Sequence, residues 1–181
     1  DNMLSFFGRV NYDYKGRYFV TATFRADAST RFNKENQWGY FPAAAIAWRL
    51  SDEPFMRSAA RAAKLSNLKF RFSYGVAGNN NVDLGYLRLD YLINTSANIP
   101  LSAFSSQNYL TAGGADKIAA NPNLKWETTT TRDFGIDYGF FNDRLSGALD
   151  LYWNSTKDLI LKYKLSNGYN FQYRNIGKTK N

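Results

Sequence analysis

Asp133, Asp137 and Asp150 are the residues with the best claim to chemistry in this chain. Two carboxylates facing one another across a sugar bond are the arrangement of glycoside hydrolysis. These three stand on the polar side of one hairpin, but nothing beside them marks a carboxyl that would hold its proton or a base that would share it. Arg9, Arg25, Arg49, Lys69 and Arg71 recur on the matching side of the other strands. A solvated ladder of opposite charges is therefore the expected role, and no catalytic residue is assigned. The sequence holds 0 His and 0 Cys, which removes the usual triads, proton shuttles, thiolate nucleophiles and zinc sites. No cofactor-binding or metal-binding residue follows, and the ligand-binding residues are unknown at this level. Gly75-Val-Ala-Gly78 is too short for a phosphate loop and has no helix after it. Asn94-Thr95-Ser96 and Asn154-Ser155-Thr156 fit a glycosylation pattern by chance. Net charge is +8, but the basic residues are spread along the chain as a solvated surface. Aromatics and cations lie mostly on opposite faces, which argues against nucleic acid.

The elements that carry these residues are strands. From Phe134 to Phe140 the even positions are Phe134, Ile136, Tyr138 and Phe140, with Gly135, Asp137 and Gly139 between them. After the turn Phe141-Asn142-Asp143-Arg144 the apolar set is Leu145, Gly147, Leu149, Leu151 and Trp153. An alternation of period two means two strands, each with one apolar and one polar face. The change of parity sets Phe140 opposite Leu145 and keeps both apolar sets on one side.

The same design recurs upstream. Phe6, Gly8, Val10, Tyr12 and Tyr14 lead into the turn Lys15-Gly16-Arg17, and Tyr18, Val20, Ala22, Phe24 and Ala26 return, with Tyr14 set opposite Tyr18. Phe7 is the exception on the polar side. Ala28 to Gln37 reads as a polar loop. Trp38 to Leu50 is a third strand in which Pro42 demands a bulge or an unpaired position. Ser51 to Asn67 carries the only helical signal, capped by Ser51 or Asp52. Arg57, Arg61 and Lys64 would share one face of that helix, although a short helix closing the end of a β-structure is the simpler expectation. Leu68 to Gly78 is a fourth strand. Asn79 to Asn123 is long and rich in Asn, Ser, Ala and Gly, with a weak strand-like patch at Tyr86 to Ile93. Lys157 to Lys164 extends the hairpin's second strand, Ser166 to Asn170 is a loop, and Phe171 begins another strand.

The apolar sides face either lipid or a second sheet. No run reaches the ~20 apolar residues of a membrane helix, but barrel strands leave a weaker signal. Short connections at 15–17 and 141–144 alternate with longer ones at 28–37 and 79–123, as in outer-membrane barrels, and 51–67 breaks that rule. Tyr12, Tyr14, Tyr18, Phe19, Tyr138, Phe140 and Phe141 gather at one end of the strands. Trp38, Tyr40, Trp126 and Trp153 gather at the other, like the two interfacial girdles. Thr128, Thr130 and Arg132 would then project above the bilayer. The alternative is a soluble carbohydrate-binding β-sandwich with an aromatic core.

Several phrases then carry a family resemblance: Phe6-Phe7-Gly8-Arg9-Val10-Asn11-Tyr12, Thr21-Ala22-Thr23-Phe24-Arg25-Ala26-Asp27, Trp38-Gly39-Tyr40-Phe41-Pro42, Ala47-Trp48-Arg49-Leu50-Ser51, Asn121-Pro122-Asn123-Leu124-Lys125-Trp126-Glu127 and Asn175-Ile176-Gly177. In order and spacing the chain resembles the SusC/RagA family of TonB-dependent outer-membrane transporters of Bacteroidetes. The resemblance implies an all-β fold: antiparallel strands forming part of a large transmembrane barrel of about 22 strands, with one short periplasmic helix at 51–67. It implies TonB-dependent import of an oligosaccharide or peptide across the outer membrane, with a SusD-like surface lipoprotein as lid and no enzyme activity. Residues 1–181 would be a mid-to-late section of about six or seven strands, with the plug, the segment that meets the TonB complex and the remaining strands outside it.

Overall fold

The computed structural model describes residues 2–82, 91–94, 109–112, 118–165 and 171–181. Strands β1 (Met3–Tyr14), β2 (Tyr18–Ser29), β3 (Trp38–Arg49) and β4 (Leu65–Asn79) follow one another. Between β3 and β4 lie a 3-10 turn at Leu50–Asp52 and one helix, α1 (Arg57–Ala62). Three short strands, β5 (Tyr91–Asn94), β6 (Tyr109–Ala112) and β7 (Ile118–Ala119), precede β8 (Glu127–Phe140), β9 (Leu145–Lys164) and β10 (Phe171–Lys180). The main sheet runs in the order β1-β2-β3-β4-β8-β9-β10-β7, and β5 with β6 forms a separate two-stranded sheet. Every pairing from β1 to β10 is antiparallel, and only the contact of β7 with β10 is parallel.

Both hairpins have the register that the parity rule requires. Tyr14 pairs with Tyr18, and Phe140 pairs with Leu145. The match then carries across strands distant in sequence: Val20 meets Ile46, Ile46 meets Phe72, Phe72 meets Phe134 and Phe134 meets Leu151. The apolar faces of six strands are thereby one continuous surface. Phe6, Val10, Phe24, Tyr40, Leu149 and Leu151 are each more than half exposed on it. Phe134 and Ile136 are half-buried among their in-sheet neighbours. Among the described residues no second layer covers this face, so the sandwich alternative has no partner sheet.

Ring contacts organise the two ends of the surface. Tyr14, Tyr18 and Trp48 follow one another at the end with the short turns, with centroids 6.3 Å apart in each contact. Toward the other end Phe6 stacks on Trp38 at 6.4 Å and Phe24 on Tyr40 at 6.2 Å. Two expected girdle residues are placed differently. Phe19 falls on the opposite face, beneath the cations of Arg49 and Lys69 at 5.5 and 5.7 Å from its ring. Trp126 is buried, not interfacial.

Pro42 acts as expected. It pairs with Phe24 of β2, but the ladder between β3 and β4 ends beside it at Ala43 and Gly75, since Pro has no amide hydrogen to give. A cluster of Phe32, Phe41, Val82, Leu124 and Trp126 packs at that end of the sheet. Any Cβ on Gly39 or Gly78 would collide with the Phe41 ring, so glycine at both positions is what admits the ring there.

The helix is shorter than the sequence signal. Only Arg57–Ala62 is helical, and β4 starts at Leu65. Ser51 and Asp52 belong to the 3-10 turn, and the residue before α1 is Met56, with no side-chain cap. Pro54 separates the capping residues from the Ala-rich run. Lys64 has φ 51, which ends the helical path before a three-cation stripe forms. β5 and β6 lie in the segment read as mainly irregular. The expected patch at 86–93 falls partly, and the loop at 166–170 wholly, outside the described residues.

Candidate functional site

The water-facing side of the sheet carries the charges. Arg71 on β4, Gly135 on β8 and Asp150 on β9 form one cross-strand row. The glycine lets the guanidinium lie flat across β8: a Cβ there would sit 2.5 Å from Asp150 Oδ1 and 2.7 Å from Arg71 Cζ. Arg71 Nη2 donates to Asp150 Oδ1 at 2.8 Å and to Asp137 Oδ1 at 2.9 Å, while Nε donates to both Asp137 oxygens at 3.1 and 3.0 Å. Lys69 Nζ lies 4.0 Å from Asp137 Oδ2. Two of the three candidate carboxylates are thus tied to one guanidinium in a forked geometry. Asp133 occupies another row, between Ser73 and Tyr152. This is a ladder, not an acid and base facing a shared space. On the neighbouring strands Arg9 Nε donates to Thr23 Oγ1 at 3.1 Å, and Arg25 pairs with Asp27 at 2.7 Å. Among the described residues there is no group of His, Cys, Asp and Glu that would hold a metal ion.

At the end away from the short turns, Asn121 to Glu127 works as a buckle. Asn121 Nδ2 donates to the Tyr173 carbonyl at 2.7 Å, and the Lys125 amide donates to Asn175 Oδ1 at 3.0 Å. Asn175 Nδ2 returns to the carbonyls of Lys125 and Asp158 at 2.9 and 2.7 Å. Glu127 takes the Ile160 amide at 2.7 Å on one oxygen and Asn79 Nδ2 at 2.7 Å on the other. Trp126 Nε1 donates to the Gln37 carbonyl at 3.0 Å. Four residues of this segment, Asn121, Lys125, Trp126 and Glu127, therefore bind the base of the 80–126 connection to β4, β9, β10 and the 30–37 connection. Asn175 sits where the β9–β10 register shifts, and Asp158, which has no partner in that ladder, offers its carbonyl to the Asn175 side chain.

At the other end Glu53 is buried at 6% exposure. It accepts from Trp48 Nε1 at 3.1 Å and Arg17 Nη1 at 3.5 Å, and from the Tyr18 hydroxyl. The hydrogen bonds from Tyr18 and Trp48 hold its carboxyl below the usual glutamate value; Arg17 adds to them, and burial opposes all three. By sequence alone Glu53 suits the first turn of a helix after the Ser51 or Asp52 cap, a position that itself gives no hint of this role. The signal that it grips the aromatic row was its nearness to Trp48 alone, and Tyr18 and Arg17 are remote in sequence.

The sequence profile described as "TonB dependent receptor-like, beta-barrel" matches residues 1–181. The chain belongs to the TonB-dependent receptor-like β-barrel family. It is 39% identical over 186 residues to the TonB-dependent receptor SusC of Bacteroides thetaiotaomicron, covering 100% of this chain and 18% of SusC. It is 37% identical to the TonB-dependent receptor P26 of Formosa agariphila, over 98% of this chain and 17% of that protein. The RagAB peptide importer is similar in structure: TM-scores are 0.82 for its open-open state and 0.79 for its closed-closed state, at 27% identity, over 98% of this chain and 18% of that one. The chain thus spans about a fifth of the length of these relatives. It is a SusC/RagA-type section of a TonB-dependent receptor barrel, all-β, and its place is the outer membrane. The uncovered apolar face is the side such a wall turns to lipid.

Proposed function

We propose that residues 1–181 build part of the wall and outer-loop bases of a barrel of about 22 strands that imports an oligosaccharide or peptide across the outer membrane. The chain itself carries no catalytic role in this reading. TonB supplies the energy through parts of the protein outside this section, and a SusD-like lipoprotein covers the outer opening. The observation that carries the proposal is the unbroken apolar surface from β1 to β9, backed by a face of paired charges. One side suits acyl chains and the other suits water enclosed by a wall. A structure similar to this chain is that of a peptide importer, which supports the peptide part of this substrate class. The buckle supports the loop role, because it anchors the 80–126 connection to four parts of the wall. Uptake of labelled oligosaccharides and peptides by cells that depend on the full-length protein tests this. Uptake should stop when TonB is deleted. Uptake that continues without TonB overturns the proposal.

A further inference from the structure

At the short-turn end a recess of about 560 Å³ opens between α1 and the β8–β9 turn. Arg61, Lys64 and Arg144 line it together with Leu65, Ser66 and Phe141. All three cations are exposed. Among the described residues none of them forms an ion pair. The acids of this end are engaged elsewhere. Glu53 holds Arg17, Asp52 lies 3.6 Å from Arg49, and Asp13 takes the Gly16 amide at 2.8 Å. Asp143, next to Arg144, turns its carboxylate back over Gly139 and does not line the recess. Three cations therefore converge on one concavity that no carboxylate among the described residues lines.

The frame of the recess is built. The Phe141 amide donates to the Lys64 carbonyl at 2.8 Å, and the Asp143 amide donates to Ser66 Oγ at 3.2 Å. The Lys64 ammonium lies 5.6 Å from the centre of the Phe141 ring. These links fix the start of β4 against the turn between β8 and β9.

The recess also adjoins the lipid side. Leu65 pairs with Phe140, and Phe140 pairs with Leu145, so one wall of the recess is continuous with the apolar belt. Phe141 and Leu145 are both at least half exposed beside it.

We infer that Arg61, Lys64 and Arg144 hold the phosphate of an anionic phospholipid from the inner leaflet, with its acyl chains lying along Leu65, Phe140 and Leu145. The inference rests on the reading of this sheet as an outer-membrane wall. Charge complementarity asks for an anion, and continuity with the belt asks for one that carries acyl chains. An acidic peptide or a free anion would satisfy only the first.

The test uses the full-length receptor, delipidated in detergent, with phosphatidylglycerol in mixed micelles as the probe and native mass spectrometry as the readout. Arg144→Gln should weaken retention about fivefold, and Arg61→Gln with Lys64→Gln and Arg144→Gln together roughly a hundredfold. Inorganic phosphate in excess should leave the lipid in place. Unchanged retention in the triple variant overturns the inference, as does full displacement by inorganic phosphate. An equal loss on Lys162→Gln, at the other end of β9, does the same by showing mere surface charge. Arg144→Gln alone, on an exposed turn, decides the matter if the triple variant does not assemble. Wild-type receptor that never enters a membrane would fault the wall reading instead.

Discussion

Arg71, Gly135 and Asp150 show how much one glycine decides. Arg71 reaches over β8 only because Gly135 leaves the path open. Gly135→Val should force the guanidinium away and cost about 1–3 kcal/mol, since overpacking displaces what it meets. The temperature at which the folded full-length barrel loses its compact electrophoretic mobility measures this. Arg71→Met removes the fork but leaves the space open. Because Asp150 is 45% exposed, its cost should stay near 0.5–1 kcal/mol. Glu53 supplies the residue-scale prediction for pH. Its folded carboxyl titrates below the ordinary glutamate value, so its stabilisation is complete above about pH 4.3 and is lost as pH falls through the depressed value. Wild-type receptor should therefore lose thermal stability on acidification in that window, and Glu53→Gln should lose less of it. Identical acid profiles for the two would show that the carboxylate does not grip Trp48 and Tyr18.

Each strand obeys one rule, that alternate residues belong to opposite solvents. Ile136 and Leu149 pair directly on the lipid side. Replacing either with Arg should cost roughly 2–4 kcal/mol near the bilayer centre. The fraction of receptor recovered folded in outer membranes reads that loss, and normal recovery of both variants would contradict a lipid contact. Trp126 departs from the pattern that places tryptophans at interfaces. It lies against Phe32 and Phe41 at 5.4 and 5.3 Å between ring centres. Trp126→Ala should therefore behave as a core truncation of about 3–5 kcal/mol, seen as lower thermal stability. A girdle residue would tolerate the change much better. The helix shows the limit of local signals. Its Ala-rich run satisfies propensity, but a short helix has little cooperativity, and the chain must reach β4 at Leu65.

For the molecule as a whole, the described residues form no closed core of their own. The buried apolar set is confined to the outer-end cluster, Ala60 and little else among the described residues, while the broad belt is bare. β1 exposes one unpaired edge, and β10 is paired on its far side only at Phe171 and Gln172. Expressed alone in buffer without detergent, this section should aggregate through its edges and its belt. Size-exclusion chromatography checks that, and a folded monomer would argue for a soluble module. The hairpins, their registers and the division into two faces were all legible in the sequence. Alternation of period two is a property of each strand alone, and a turn length plus parity sets the register of its two neighbours. The pairing of β4 with β8 across the long connection was not legible, because no local pattern encodes a partner so distant in sequence. Only the assembled sheet placed Arg71 between Asp137 and Asp150, sank Trp126 beside Phe41, and brought Arg61, Lys64 and Arg144 to one recess. Each of those contacts joins side chains from separate parts of the chain, and their distances exist only after the strands have aligned.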